Sequence, residues 1–346
     1  MSYQRALEAI NLRRTDRIPQ IEHISHPEFI KKITGKTDWN SSWEVLAEVY
    51  RPLDLDFAIY TEEGYIPEWE RMSQSKDTSW GLESTSWRTA YRCKEIEDVY
   101  LYDPWKDQEE KSIQELVTGF NSNWSKIQSL FGDVALVAGG LYRTLFMWPL
   151  MTFGWELFLE AAMNAPEKFK RIIDGFAEIA MRDISAWSKV PIKVFASHDD
   201  LAMARGPIFN PEWYRKYIFP WYKKLWEPLK ANGIKILFIS DGNIEFLLED
   251  IWEAGADGVV IEPVINLKNL IEKRGRDKII IGNIDTKTLR FGTLAKIEDE
   301  IKRCIEDAGN CPGYFLNVSG GLPQDIPLSN VDAYFDICAR YKSRVK

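Results

Sequence analysis

Two apolar runs of this chain end in acid: Ile192-Lys-Val-Phe-Ala-Ser-His-Asp-Asp200 and Ile234-Lys-Ile-Leu-Phe-Ile-Ser-Asp-Gly-Asn243. A strand buried on both faces reads as an unbroken apolar run, and a parallel barrel carries its active site where the strand C-termini emerge. The two runs therefore predict barrel strands with His198, Asp199, Asp200 and Asp241 at the mouth.

The same alternation of short apolar runs and longer helical patterns extends in both directions. Strands are expected over residues 18–23, 57–60, 134–138, 192–197, 234–240, 258–262, 278–282 and 313–318. Helices are expected over 41–50, 108–130, 155–187, 211–232 and 244–254, which gives repeated βα units and a parallel sheet. Asn210-Pro211-Glu212 supplies an N-cap with proline at the first helical position, and Asn232-Gly233 a left-handed stop. The stretch 65–92, with Trp69, Trp80 and Trp87, lacks helical period and reads as a β-hairpin inserted after the second strand. The expected fold is thus an α/β chain, a (β/α)8 TIM barrel with an N-terminal helical extension and that hairpin, forming one domain over residues 1–346.

Composition narrows the function classes. The 346 residues are 45% hydrophobic and 28% charged, enough apolar content to fill a large core. A net charge of −8 without a basic cluster speaks against nucleic acid or anionic lipid as a partner. No apolar run approaches a membrane span and the N-terminus starts as a mixed-charge helix, so a cytoplasmic location is expected. Cys93, Cys304, Cys311 and Cys338 form no C-x-x-C pair and read as reduced structural thiols. Three histidines, His23, His26 and His198, leave little room for histidine-based metal or triad chemistry.

Polar residues recur at the strand ends: Glu22 and His23, Glu62 and Glu63, His198 to Asp200, Asp241, Glu262, Asp285 and Ser319. Each alone could be a helix cap, as His26, Asp241 or Asp285 could be. Several facing one mouth would instead shift each other's pKa and act as acids or bases, with Asp199, Asp200, Asp241 and Glu262 as catalytic choices. Substrate contacts are expected from His23, His198, Asn243 and Asp285, and from Tyr142, Arg143, Phe146 and Trp148 in the aromatic segment after the third strand. Arg143 could pair with a substrate carboxylate, and Arg205 could be buried against Asp199 or Asp200.

The segment Asp199-Asp-Leu-Ala-Met-Ala-Arg-Gly-Pro-Ile-Phe-Asn-Pro-Glu-Trp-Tyr-Arg-Lys-Tyr-Ile-Phe-Pro-Trp-Tyr-Lys-Lys-Leu225 resembles the uroporphyrinogen decarboxylase superfamily. Arg5-Ala-Leu-Glu-Ala-Ile-Asn11, Asp16-Arg-Ile-Pro19, Ser240-Asp-Gly-Asn-Ile244, Gly255-Ala-Asp-Gly258, Gly282-Asn-Ile-Asp-Thr286 and the stretch from Gly313 to Asn330 match in order. The resemblance implies a (β/α)8 barrel, usually a homodimer, in a superfamily that also holds corrinoid-dependent methyltransferases. Departures from the pattern are informative. Where uroporphyrinogen decarboxylases carry an arginine-rich motif for a polycarboxylate substrate, this chain reads Glu22-His-Ile-Ser-His-Pro27. Where the coenzyme M methyltransferase branch places a His-x-Cys pair and a further cysteine on zinc, it reads Ile239-Ser-Asp241 and Ser319-Gly-Gly321, so no thiolate-activating metal is expected.

The remaining branch implies transfer of a methyl group from a small methylated compound, most of all a methoxylated aromatic, to the corrinoid (cobalamin) of a separate corrinoid protein. This chain has no D-x-H-x-x-G corrinoid motif, so the cofactor would arrive on that partner. An ether oxygen leaves readily only when it is protonated, which gives the strand-end acids a task. The alternatives are a decarboxylase of a small organic acid and a non-catalytic ligand-binding relative.

Overall fold

The computed structural model describes residues 2–37, 42–63 and 91–343, together with the backbone of 74–77 and 85–88. Seven strands lie side by side in chain order: β1 (Phe57–Ile59), β2 (Leu136–Leu141), β3 (Val194–His198), β4 (Lys235–Ile239), β5 (Gly258–Val260), β6 (Ile279–Ile281) and β7 (Tyr314–Phe315). Every neighbouring pair is parallel. Segment 18–24 takes the eighth place, since Ile21 bridges to Phe57 and Gln20 to Leu316, both in parallel sense. These bridges join β7 to β1 and close the expected barrel.

The pleat sorts the strand side chains into two cores. Ile21, Phe57, Leu136, Ala138, Val194, Leu237, Ile279, Ile281 and Phe315 fill the barrel interior. Phe195, Ile236, Phe238, Val259, Ile280, Tyr314 and Leu316, one step out of phase, face the surrounding helices. The helix Ser2–Ile10 packs Ala6, Ala9 and Ile10 on the interior cluster. Its Tyr3 N–H donates to the carbonyl of Asp133, just before β2, so this N-terminal extension plugs the end opposite the mouth.

Strands Gln74–Asp77 and Thr85–Arg88 pair antiparallel between β1 and β2, where the inserted hairpin was expected; Trp69 and Trp80 lie outside the described residues. Two predicted helices are each divided. The pattern over 155–187 forms Trp155–Asn164 and Pro166–Trp187, and that over 211–232 forms Pro211–Tyr217 and Phe219–Ala231. Pro166 and Pro220 each stand in the first turn of the second helix, where a missing N–H costs nothing but a continuous helix could not run through. The Asn210 side chain accepts from the Glu212 N–H, and Gly233 follows Asn232 with φ of 71°, as the sequence predicts. The four cysteines are buried free thiols, and no described helix is long and apolar enough to cross a membrane.

At the closed end, Asp56 is fully buried and accepts from the Gln20 N–H at 2.8 Å, from Arg17 at 3.3 Å and from Arg5. The carboxylate thereby ties the plugging helix, segment 18–24 and β1 together. Removing one member of such a cluster leaves uncompensated buried charge. Asp56→Ala is expected to lower the unfolding free energy by about 3–5 kcal/mol in urea denaturation, whereas Asp16→Ala, at the exposed carboxylate beside Arg5, should cost less than about 1 kcal/mol.

Candidate active site

The interior phase of each strand, carried past its last residue, decides what reaches the mouth. Val194, Ala196, His198 and Asp200 share one phase, as do Leu237, Ile239 and Asp241, Val260 and Glu262, Leu136 to Tyr142 by twos, and Ile21 and His23. Asp199 and Glu22 have the opposite phase. The structure bears this out and corrects two sequence expectations.

Asp199 does not face the mouth. It is fully buried behind the barrel wall, where its carboxylate accepts the N–H groups of Leu145 at 2.7 Å and of Phe146 and Met147 at 2.6 Å, and the Tyr222 hydroxyl at 2.7 Å. Burial pushes its carboxyl up, to about 6, against these four donors. With three donors on Oδ2 and one on Oδ1, it braces the segment after β2 instead of reaching the mouth. Tyr222, its partner, is a residue the sequence does not single out; a tyrosine on the buried face of the helix Phe219–Ala231, beside Leu225 and Trp226, needs a polar contact for its hydroxyl, and that is the available signal. Glu22 likewise turns outward, bonded to Gln20, to the Val318 N–H at 3.2 Å and to Tyr334.

Three aromatic-segment residues are also withdrawn. Phe146 is fully buried in an aromatic cluster with Phe158, Phe209, Trp213 and Tyr214, and Trp148 is buried beneath Arg143. Arg143 itself is 2% exposed and donates through Nε and Nη2 to the Glu63 carbonyl at 3.2 and 3.0 Å, instead of standing open for a carboxylate. All three flank or belong to the stretch whose Leu145, Phe146 and Met147 amides bind Asp199, which holds this segment against the barrel wall. Arg205 lies exposed in a small hairpin, Ala202–Met203 with Gly206–Pro207, without an ion pair among the described residues.

The groups that do gather are Tyr142, His198, Asp200, Asp241, Glu262 and Asp285. His198 Nε2 lies 3.1 Å from Asp200 Oδ1, and the ring meets Tyr142 edge-on with centroids 4.5 Å apart. Burial lowers the affinity of His198 for a proton, yet the Asp200 bond and charge, with Asp241 and Asp199 behind, outweigh it and raise the pKa above its ordinary value. Asp200 Oδ1 also accepts the Asp241 N–H at 2.8 Å. Asp241 is raised by desolvation and by the charge of Asp200, only partly offset by His198, although its side chain reaches solvent. Glu262 is half-buried and pushed up to about 7, first by desolvation, then by the charges of Asp241, Asp285 and Asp200.

The Asp241 turn is fixed from below. Gly242 has φ of 81°, and a Cβ there would lie 2.5 Å from the Ala202 carbonyl oxygen, so only glycine fits. Asn243 donates its N–H to the Met203 carbonyl and accepts from Glu245 N–H, and Asp285 accepts from Lys287 N–H as a helix cap while still acting electrostatically on Glu262. His26 is an N-cap as expected, and His23 is exposed, with neighbouring protein lowering its pKa by desolvation. Among the described residues, no three His, Cys, Asp or Glu side chains are arranged to hold a metal ion.

The uroporphyrinogen decarboxylase (URO-D) family model matches residues 149–341, and the chain belongs to that family. It is 25% identical over 174 residues to the uroporphyrinogen decarboxylase of Carboxydothermus hydrogenoformans, covering 50% of this chain and 48% of that protein. Over 221 residues it is 24% identical to the enzyme of Trichlorobacter lovleyi, covering 63% of each. The chain thus spans about half to two thirds of the length of these curated relatives. A solved methyltransferase from Methanosarcina mazei superposes with a TM-score of 0.68 over 98% of both chains at 17% identity, a likeness of fold.

Asp199→Ala, which strips four donors of one buried acceptor, is expected to cost about 3–5 kcal/mol of stability. Tyr222→Phe, which removes only one of those bonds, should cost about 1–2 kcal/mol. Thermal and chemical denaturation measure both, and equal, negligible effects would contradict the bracing role.

Proposed function

We propose that this member of the uroporphyrinogen decarboxylase family is a methyltransferase that moves a methyl group from a small methylated substrate, above all a methoxylated aromatic, to the cobalt(I) corrinoid of a separate protein. The observation that carries this reading is a mouth acid, Glu262, whose pKa is pushed up to about 7 by desolvation first and then by the charges of Asp241, Asp285 and Asp200. Cobalt(I), when its carrier is bound, supplies the nucleophile; everything else falls to this chain.

As the methyl carbon leaves the ether oxygen, the bonding electron pair stays on oxygen. An aryl oxide is a poor leaving group beside three carboxylates unless it gains a proton, and the Glu262 carboxyl, ordinarily ionised at pH 7, is here able to give one. Glu262 ends as a carboxylate and is reprotonated from solvent. Tyr142, 36% exposed, offers an aromatic surface on which the substrate ring can settle. Support for a large partner comes from Met203, Phe246, Val264 and Phe291, exposed apolar side chains on the segments that follow β3, β4, β5 and β6, Phe246 in a short 3-10 turn and Phe291 at the end of the helix Thr286–Phe291. Large exposed apolar side chains on the connections that leave the strand C-termini suit a face that another protein covers.

Decarboxylation is the second reading, and the names of the curated relatives favour it. There the same proton would go to carbon after loss of carbon dioxide. The two separate cleanly: methyl transfer methylates corrinoid, while decarboxylation releases carbon dioxide without it.

Incubation with a reduced corrinoid protein, or with free cob(I)alamin, and a panel of methoxylated aromatics is expected to give the absorption spectrum of methylated corrinoid. No change with any of them sinks the reading. Activity requires the protonated Glu262, so the rate should hold below pH about 7 and fall as pH rises through it. Glu262→Gln should lower the rate by about 10²-fold or more. Asp241→Asn removes a charge that raises Glu262, and should move the alkaline limb to lower pH.

A further inference from the structure

One oxygen in the mouth serves two strand ends. Asp200 Oδ1 accepts from Nε2 of His198, the last residue of β3, and from the main-chain N–H of Asp241, two residues beyond β4. The ring is confined further by the edge of Tyr142, and the Asp241 turn by Gly242 against Ala202. With Nε2 committed, Nδ1 is the remaining polar atom of the ring, and no hydrogen bond to it is made among the described residues. His198 is only 14% exposed, so little water can reach it.

We propose that Asp200 is a positioning residue that locks the His198 ring and the Asp241 turn into one unit, leaving Nδ1–H of His198 to donate a hydrogen bond to the leaving oxygen of the substrate. The substrate part rests on the methyl-transfer reading above; the lock itself does not. The titratable groups around the unit are Asp199 behind the wall, Asp241 and Glu262 across the mouth, and Tyr142 against the ring. The charges that act on the ring, those of Asp200, Asp241 and Asp199, are all acidic, while the cation Arg143 beside Tyr142 is turned to the Glu63 carbonyl, and the acids together favour an imidazolium that carries protons on both nitrogens. A neutral ring that donates Nε2–H to Asp200 would present a lone pair at Nδ1 and repel a developing oxide. The Asp200 charge therefore sets not only where the ring sits but which kind of contact it offers.

The chain holds only three histidines, so histidine-selective isotope labelling gives a spectrum of three ring signals that can be titrated without any substrate or partner. The His198 signal, identified by its loss in His198→Gln, is expected to titrate above the ordinary histidine midpoint, with the chemical shift of a ring hydrogen-bonded at Nε2. Asp200→Asn keeps an acceptor oxygen in the same place but removes the charge. It should lower the His198 midpoint while leaving hydrogen exchange of the Asp241 amide slow. Asp200→Ala should lower the midpoint and also speed that exchange at least tenfold, with the melting temperature reporting whether the variant is folded. An unchanged His198 midpoint in Asp200→Asn overturns the proposal, as does an unchanged Asp241 exchange rate in folded Asp200→Ala. Loss of methyl transfer in the wild type would overturn the functional reading alone, because these measurements need no turnover.

Discussion

The constraint on which this mouth depends is a carboxylate with four donors. The helix Met147–Phe153 begins just after β2, and its first amides have no partner within the helix. Asp199, from the next strand, accepts the N–H groups of Leu145, Phe146 and Met147 and brings a negative charge to that N-terminus. The cap is therefore supplied across strands, by a residue distant in sequence from the helix it serves. Tyr222 reaches in from the helix layer and engages the same group. One buried acid so couples β2, β3 and the helix Phe219–Ala231, and any movement of the loop after β2 would strand four polar groups. That loop's first residue, Tyr142, and the neighbours of Asp199 on the other side of the pleat, His198 and Asp200, are the side chains that line the mouth.

Bracing on one side of the wall permits electrostatic tension on the other. Two carboxylates about 6 Å apart at an effective dielectric constant near 20 repel by roughly 3 kcal/mol, more than a surface ion pair returns. Asp200, Asp241, Glu262 and Asp285 face this repulsion with His198 as the counter-charge among the gathered groups. The arrangement relieves itself unequally: Asp200 is bonded to His198 and to an amide, whereas Glu262, desolvated and facing the charges of Asp241, Asp285 and Asp200, is pushed toward its protonated form. Different roles for chemically similar acids follow from these unequal partners, as in other sites where paired carboxyl groups are driven apart in pKa.

Much of this architecture is legible in the chain. The strand runs, the Asn210 cap, the Gly233 stop and the superfamily signature all found their places. The division of labour between Asp199 and Asp200 is not legible, and the reason is physical. A strand of a parallel barrel is apolar on both faces, so Val194 to Ser197 shows no alternation from which the inward phase could be read. Only the register with β2 and β4 tells that His198 and Asp200 point inward and Asp199 outward. The same ambiguity misplaced Glu22 beside His23. Phe146 and Trp148 failed for a different reason: proximity in sequence to a strand end says nothing about where a loop folds back, and here the Asp199 bonds decide it. The prolines that divide two long helices were visible, but their effect was masked by apolar spacing that continues across the breaks.

A frame built this way separates what holds the fold from what does the chemistry. Asp199, Tyr222 and the amides after β2 lie wholly behind the barrel wall, and Asp56 with Arg5 and Arg17 lies at the opposite end. None of them touches the space above the strand ends. Residues that do, such as Asp241, stand on a turn whose path is set by Gly242 and by the Asn243 main chain rather than by the acid itself. A different side chain at position 241 would leave those backbone contacts in place, and the turn would present it to the same point. The strand ends therefore act as a rigid set of mounting positions, and reaction type is determined by which side chains occupy them. On the methyl-transfer proposal the acids at 241 and 262 are the chemically decisive residues: burial by the fold is the largest cause raising the proton affinity of both, and the charges of neighbouring acids raise it further.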